Sequence, residues 1–421
     1  MQHQKSKIKN QNLPNITVAS VGHIDHGKSS LFGRLLYDSG QVKPDRIVEW
    51  QKTGGNNFAF LLDSFEDEQK GEMTIDVFYS QFETKKYKFI LIDDPGHLEF
   101  IKNMLTGISQ ATGVILVISA KPGEGIQFQT RRHMMLVKLL GIEQVLVVVN
   151  KMDLVGYDLR RFMQIKEEIG KFLRETGFNL NRIPFVPVSA VKGDNVFYQS
   201  KNMSWYREKT LYEFLDEVFS PPSSPIDKPL RIIFQGSFRA GDEEVVFSRV
   251  ESGMLKKGQF ITLSPENKIV KVQEMKSTLE SKKRLLPTET GGLVLKGDIF
   301  LDKIGQQVGG SVKQPPRLVQ RVLGEIFLLL DESIKRGDKL LFRVGTREIS
   351  CLIEKILRRI DSETGEILEE NSFRVEAAEM ADVEISFDQP TVVEKFSDFP
   401  TLGRFLLFRG KKNIAAGITV N

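Results

Sequence analysis

At 421 residues the chain is too long for one ordinary domain, and roughly two to four are expected. Its 40% hydrophobic and 27% charged residues are those of a globular protein rather than a disordered or fibrous one. A formal charge of +4 permits contact with RNA without arguing for it, and the single cysteine, Cys351, excludes an internal disulfide or a cysteine metal cage. Lys5, Lys7 and Lys9 make a polar N-terminal tail with no apolar core behind it, and no apolar run reaches the length of a membrane span. No signal peptide and no membrane role are expected, and the compartment is taken as cytoplasmic.

Ile16–Val21 reads as a short buried strand. Directly after it comes Gly22-His-Ile-Asp-His-Gly-Lys-Ser-Ser30, which fits Gly-x-x-x-x-Gly-Lys-Ser/Thr, and then Leu31, Leu35 and Leu36 at helical spacing. Strand, glycine-rich turn and helix aim backbone N–H groups at phosphate oxygens. In such a loop Lys28 reaches the β- and γ-phosphates and the Ser29 hydroxyl ligates Mg²⁺.

Phe89–Ile92, Gly113–Ile118 and Val145–Val149 are apolar at every residue, and Ile183–Val188 resembles them. Strands covered on both faces imply a mainly parallel sheet with flanking helices. Arg160–Thr176 carries Phe162, Ile165, Ile169 and Phe172 at helical spacing. Near Pro221-Pro-Ser-Ser-Pro225 the pattern changes to short alternating strands between glycine turns, and Lys313-Gln-Pro-Pro316 makes a second break. The expected fold is an α/β P-loop domain followed by two all-β barrels. The boundaries are a tail over 1–14, a nucleotide domain over 15–222, and barrels over 226–313 and 316–421. Cys351 is expected to be a core residue, and Asp361-Ser-Glu-Thr-Gly365 a turn.

Further motifs follow in order, most of them at strand ends. In Asp93-Asp94-Pro95-Gly96-His97, Asp93 can hold a Mg²⁺-bound water and the Gly96 N–H can sense the γ-phosphate. In Asn150-Lys151-Met152-Asp153, the Asp153 carboxylate can accept both donors on the guanine edge, a pairing adenine does not offer. Ser189-Ala190-Val191 can present backbone N–H to guanine O6. Thr74 lies where a loop would close on Mg²⁺. Each motif alone is an ordinary turn, but their order, placement and spacing together point to GTP and GDP with Mg²⁺. His97, two residues past Asp-Pro, is the candidate catalytic residue for orienting water. His23 and His26 are expected to shape the loop, and His133 and His3 are assigned no chemistry.

These motifs with two barrels behind them resemble the translational GTPase superfamily in its elongation factor 1-alpha branch, from about Ile16 to Val420. Gly22–Lys28, Phe100-Ile-Lys-Asn-Met104 and Phe399–Phe405 look like the elongation factor itself. Phe58–Asp63, Thr74–Val77, Gln129–His133, Val149–Asp158, Ser189–Val196 and Ser200–Tyr206 look more like the GTPase subunit of bacterial sulfate adenylyltransferase. Val344-Gly-Thr-Arg-Glu348 and Arg409-Gly-Lys-Lys-Asn413 replace third-domain stretches of the elongation factor. The sulfate reading is therefore favoured, with a small adenylyl-transferring subunit as partner. The alternative is delivery of aminoacyl-tRNA to the ribosome.

The resemblance implies that Gly22, His23, Ile24, Asp25, His26, Gly27, Lys28, Ser29 and Ser30 hold the phosphates, and that Ser29, Thr74 and Asp93 serve Mg²⁺. Asn150, Lys151 and Asp153 read guanine, with help from Ser189, Ala190 and Val191. Ile24 and Met73 would form an apolar gate that His97 passes. The acidic segment Glu66–Glu72 departs from the family pattern, which implies slow hydrolysis or a need for a partner, and Asp94 adds a carboxylate where the family has a small residue.

Overall fold

The computed structural model of the chain describes residues 13–62, 78–93, 111–222, 224–240, 243–276, 282–299, 301–329 and 332–421. It divides into two compact units, Met1–Pro222 and Ser223–Asn421.

The first unit is built on a six-stranded sheet. In chain order the strands are β1 (Asn15–Val21), β2 (Phe78–Glu83), β3 (Lys88–Asp93), β4 (Gly113–Ser119), β5 (Gln144–Asn150) and β6 (Phe185–Pro187). Their spatial order is β2-β3-β1-β4-β5-β6, all parallel except β2, which runs antiparallel to β3 at the edge. β4 is buried at every residue and β5 at all but its first, as all-apolar runs require when helices cover both faces. β6 is shorter than the expected Ile183–Val188. Pro184 and Pro187 cannot donate, and only the flanking bonds Val147 N–H to Pro184 O and Val188 N–H to Val149 O extend the ladder.

The helices are α1 (Lys28–Asp38), α2 (Pro44–Lys52), α3 (Phe128–Leu139), α4 (Leu159–Glu175) and α5 (Leu211–Val218). α4 buries Phe162, Ile165, Ile169 and Phe172, the stripe read from the sequence, and Asp158 caps its N-terminus through the Arg160 and Arg161 N–H groups. From β3 the chain crosses over β1 to β4, so the strand order reverses beside β1. A crevice at that switch point, outside the carboxyl ends of the strands, is where α/β sheets bind ligands.

The second unit holds two barrels. In the first, Phe260–Ser264, Lys268–Lys276, Thr290–Lys296, Glu243–Ser252, Arg231–Ala240 and Val308–Ser311 are successive neighbours in a closed ring. Alternate residues such as Val246, Val250, Ile261, Leu263, Val270 and Val272 fill it. The second runs Lys339–Val344, Arg404–Arg409, Lys412–Thr419, Leu318–Leu328, Met380–Val392 and Arg347–Ile360, and pairing of the first strand with the last closes it. Ile367–Glu370 hangs outside on Arg347–Ile360, joined by the expected turn, where Gly365 N–H donates to Asp361 O. Cys351 is buried in this core, and burial pushes its thiol up to about 12.

The hairpin tip Val344–Glu348 is committed to joining the barrels. The Thr346 hydroxyl donates to Phe234 O and Gly305 O of the first barrel, while Arg347 is buried within the second against Thr391 Oγ1 and Val392 O. No described helix is long and apolar enough to cross a membrane.

Candidate functional site

β1 delivers the chain into the phosphate loop, and two glycines there are obligatory. Gly22 has φ 138°, and a Cβ on it would lie 2.3 Å from Val117 O. Gly27 has φ 81°, caps α1, and a Cβ there would lie 2.6 Å from Asn150 Nδ2. Between them, Ile24–His26 forms one turn of 3-10 helix, with Asp25 N–H donating to His23 Nδ1.

Lys28 is 3% exposed, and its ammonium donates to Gly22 O and His23 O at 3.1 and 3.0 Å. The charge is thus held inside the loop's mouth. Ser29 follows in the first turn of α1, half-exposed, and its hydroxyl has no protein partner among the described residues. An unengaged hydroxyl beside a buried ammonium at a helix N-terminus fits a phosphate-bound Mg²⁺.

His26 lies fully buried at the base of the loop and its Nδ1 bonds Val117 O at 3.0 Å. A carbonyl only accepts, so Nδ1 carries the proton. Burial lowers the His26 pKa to about 4, and the neighbouring His23 and Lys28 add to this. His133, on α3, is also buried, and burial brings it to about 3.

At the end of β5 the Asn150 amide ties two loops together. Its Nδ2 donates to His26 O and its Oδ1 accepts from Ala190 N–H, each at 3.0 Å. Lys151 sits at φ 63°, which costs a non-glycine residue about 1–2 kcal/mol. Its ammonium reaches Glu124, on the loop after β4, at 2.9 Å. Burial alone would raise the Glu124 carboxyl, but hydrogen bonds from Ser119, Lys151 and Lys121 outweigh it and bring the pKa down to about 2. Ser189 Oγ donates to Asp153 Oδ1 at 2.6 Å.

The phosphate loop, Asn150–Asp153 and Ser189–Val191 therefore converge at the carboxyl ends of β1, β5 and β6. One expected role shifts within this group. Ala190 N–H is taken by Asn150 and Ser189 N–H by Asp194 O. Val191 N–H is the amide of this trio with no protein partner among the described residues, which leaves it available to donate. Spacing alone does not reveal which amide is spent on bracing. Thr74, Met73, Gly96, His97 and the Asp93 side chain lie outside the described residues. Of the apolar gate, Ile24 is described and is 37% exposed.

The family model "Elongation factor Tu GTP binding domain" matches residues 12–221, and "GTP-eEF1A C-terminal domain-like" matches 324–420. Elongation factor 1-alpha of Saccharolobus solfataricus is 37% identical over 97% of this chain and 97% of its own length. That of Pyrobaculum arsenaticum is 40% identical over 96% and 94%. Among solved structures, sup35 complexed with GDP spans 100% of this chain and 97% of that one, at 24% identity and a TM-score of 0.45. With relatives aligned through the phosphate loop, the base loops and both barrels, the chain belongs to the elongation factor 1-alpha family of translational GTPases, which bind GTP and GDP with Mg²⁺.

Proposed function

We propose that this protein is a GTP-driven carrier that delivers aminoacyl-tRNA to the ribosome in the cytoplasm. The observation that carries the reading is the end-to-end likeness to proteins named elongation factor 1-alpha, both barrels included. These relatives lend no support to the sulfate adenylyltransferase reading or to its small-subunit partner. One of the two departures that favoured it has another cause, since Thr346 in Val344–Glu348 is occupied in bonding the first barrel.

In this reading 15–222 is the nucleotide domain, 226–313 and 316–421 are the barrels, and 1–14 is a tail. The 22–30 loop and Lys28 bind the phosphates. Ser29, Thr74 and Asp93 serve Mg²⁺, which when bound neutralises charge on the β- and γ-phosphates. Asp153 selects guanine, the Lys151 stem lines the base, and Val191 N–H meets O6. Asn150 holds those two loops in register with the phosphate loop. Gly96 senses the γ-phosphate and His97 orients the attacking water.

Charged tRNA tests the proposal. With GTP, the full chain should retain aminoacyl-tRNA on a filter and protect its ester from alkaline hydrolysis, and both effects should fall with salt. Uncharged tRNA binding as well as charged, or neither binding, would remove the carrier reading.

A further inference from the structure

Arg34 lies on α1, about one turn past Ser30, and its guanidinium makes a carboxylate, a carbonyl and a ring contact. Nε donates to Asp38 Oδ2 at 2.8 Å and Nη1 donates to Val191 O at 3.1 Å. Its carbon sits 4.8 Å from the centre of the Phe58 ring. Gly193 closes over it at φ 82°, where a Cβ would lie 2.2 Å from Nη2.

An (i, i+4) ion pair alone is worth only about 0.3–0.5 kcal/mol, so Asp38 does not account for the other contacts. The Val191 side chain is 52% exposed, and its burial does not hold the loop. Asn150 braces the loop at Ala190, and Arg34 braces it one residue further on.

We infer that Arg34 is a positioning residue for the base-reading loop: by pinning Val191 to the helix that follows the phosphate loop, it sets how long a guanine nucleotide stays bound. This rests on the reading of Ser189–Val191 as the loop that meets guanine O6. The planar fork is essential to the geometry, since it meets a carboxylate, a carbonyl and a ring together. A lysine ammonium is a point charge that cannot do so.

The test is release of fluorescent GDP and fluorescent IDP from the purified full chain, chased with unlabelled nucleotide. Arg34→Ala should speed release about tenfold, the loss of one hydrogen bond from a charged donor. Arg34→Lys should recover less than half of that on a logarithmic scale. Asp38→Asn, which only loosens the fork, should speed release about threefold. Guanine and hypoxanthine share O6, so the GDP-to-IDP release ratio should stay at the wild-type value in all three variants. A purely structural role would instead lower the melting temperature with release unchanged. Release within twofold of wild type in both Arg34→Ala and Asp38→Asn, or a changed GDP-to-IDP ratio, overturns the inference and leaves the guanine site standing. A wild-type chain that holds neither nucleotide overturns both.

Discussion

Arg231 Nε and Glu394 Oε1 meet at 2.6 Å in the second unit, with the two side chains 5% and 7% exposed. Arg231 begins a strand of the first barrel and Glu394 follows a strand of the second, so the pair joins them. Further hydrogen bonds surround it. Arg231 Nη1 donates to Leu230 O and Gln314 O, Arg317 N–H donates to Glu394, and the guanidinium lies 4.6 Å from the Phe399 ring centre. Ile233, Val308, Val392 and Leu402 pack as an apolar cluster at the same junction.

A buried pair gains little over an apolar pair of equal size, because desolvation offsets the attraction. Removing one partner strands a charge and costs about 3–5 kcal/mol. Glu394→Gln should therefore destabilise the barrel unit by about that much, while Arg231→Met with Glu394→Leu should regain most of it. Calorimetry of the full chain reads both. A Glu394→Gln loss below about 1 kcal/mol would mean the pair is not the clasp described.

Base selection is the second test. Asp153 Oδ1 accepts from Ser189 Oγ, and in the proposed reading the carboxylate also meets the guanine edge. Asp153→Asn replaces an acceptor with a donor, so it should cut GDP affinity about a hundredfold and raise XDP affinity, as one charge-assisted contact is lost and another gained. Competition of GDP and XDP against a fluorescent nucleotide measures this. Ser189→Ala should weaken GDP binding by only about threefold. Unchanged preference in Asp153→Asn would remove that residue from the base site.

How much of this was legible in the sequence follows from which signals are local. β4 and β5 are legible because both faces are buried, β3 because its run is apolar, and the α4 stripe because helical spacing repeats over about three turns. β2 was invisible: Phe78–Glu83 sits at a sheet edge with no continuous apolar run. α2 shows no apolar stripe, because Trp50 is the one residue it buries. In Arg347–Ile360 alternation fails at two register shifts, so a 14-residue strand reads as a broken apolar run. The phosphate and base motifs were legible because each is set by backbone geometry at a strand end. What ties them together was not. Nothing at position 34 points to 191, nor at 150 to 26 and 190; those contacts exist only once the sheet order is known.

Hydrolysis gives the third test. If His97 orients the attacking water, His97→Ala should slow ribosome-stimulated GTP turnover about a hundredfold or more while leaving GDP affinity within twofold. Turnover and affinity are measured on one preparation. Equal turnover by variant and wild type would exclude His97 from the chemistry, and a parallel loss of affinity would make it a binding residue instead.

Acid sensitivity is the last. His26 folds neutral with a pKa of about 4, against 6.5 for an unperturbed histidine. Between those values the unfolded chain binds the extra proton, so stability falls as pH drops from 6.5 toward 4 and is level above. The 2.5-unit gap corresponds to about 3 kcal/mol at the acid end. His133, brought to about 3 by burial, acts in the same direction. His26→Asn separates the two, since an asparagine amide can still donate to Val117 O but does not titrate. From pH 6.5 to 4.5 the wild-type melting temperature should fall about 5 °C further than that of His26→Asn. Superimposable profiles would mean that His26 is protonated in the folded chain, and that burial does not outweigh the bond to Val117 O, which favours the charged ring.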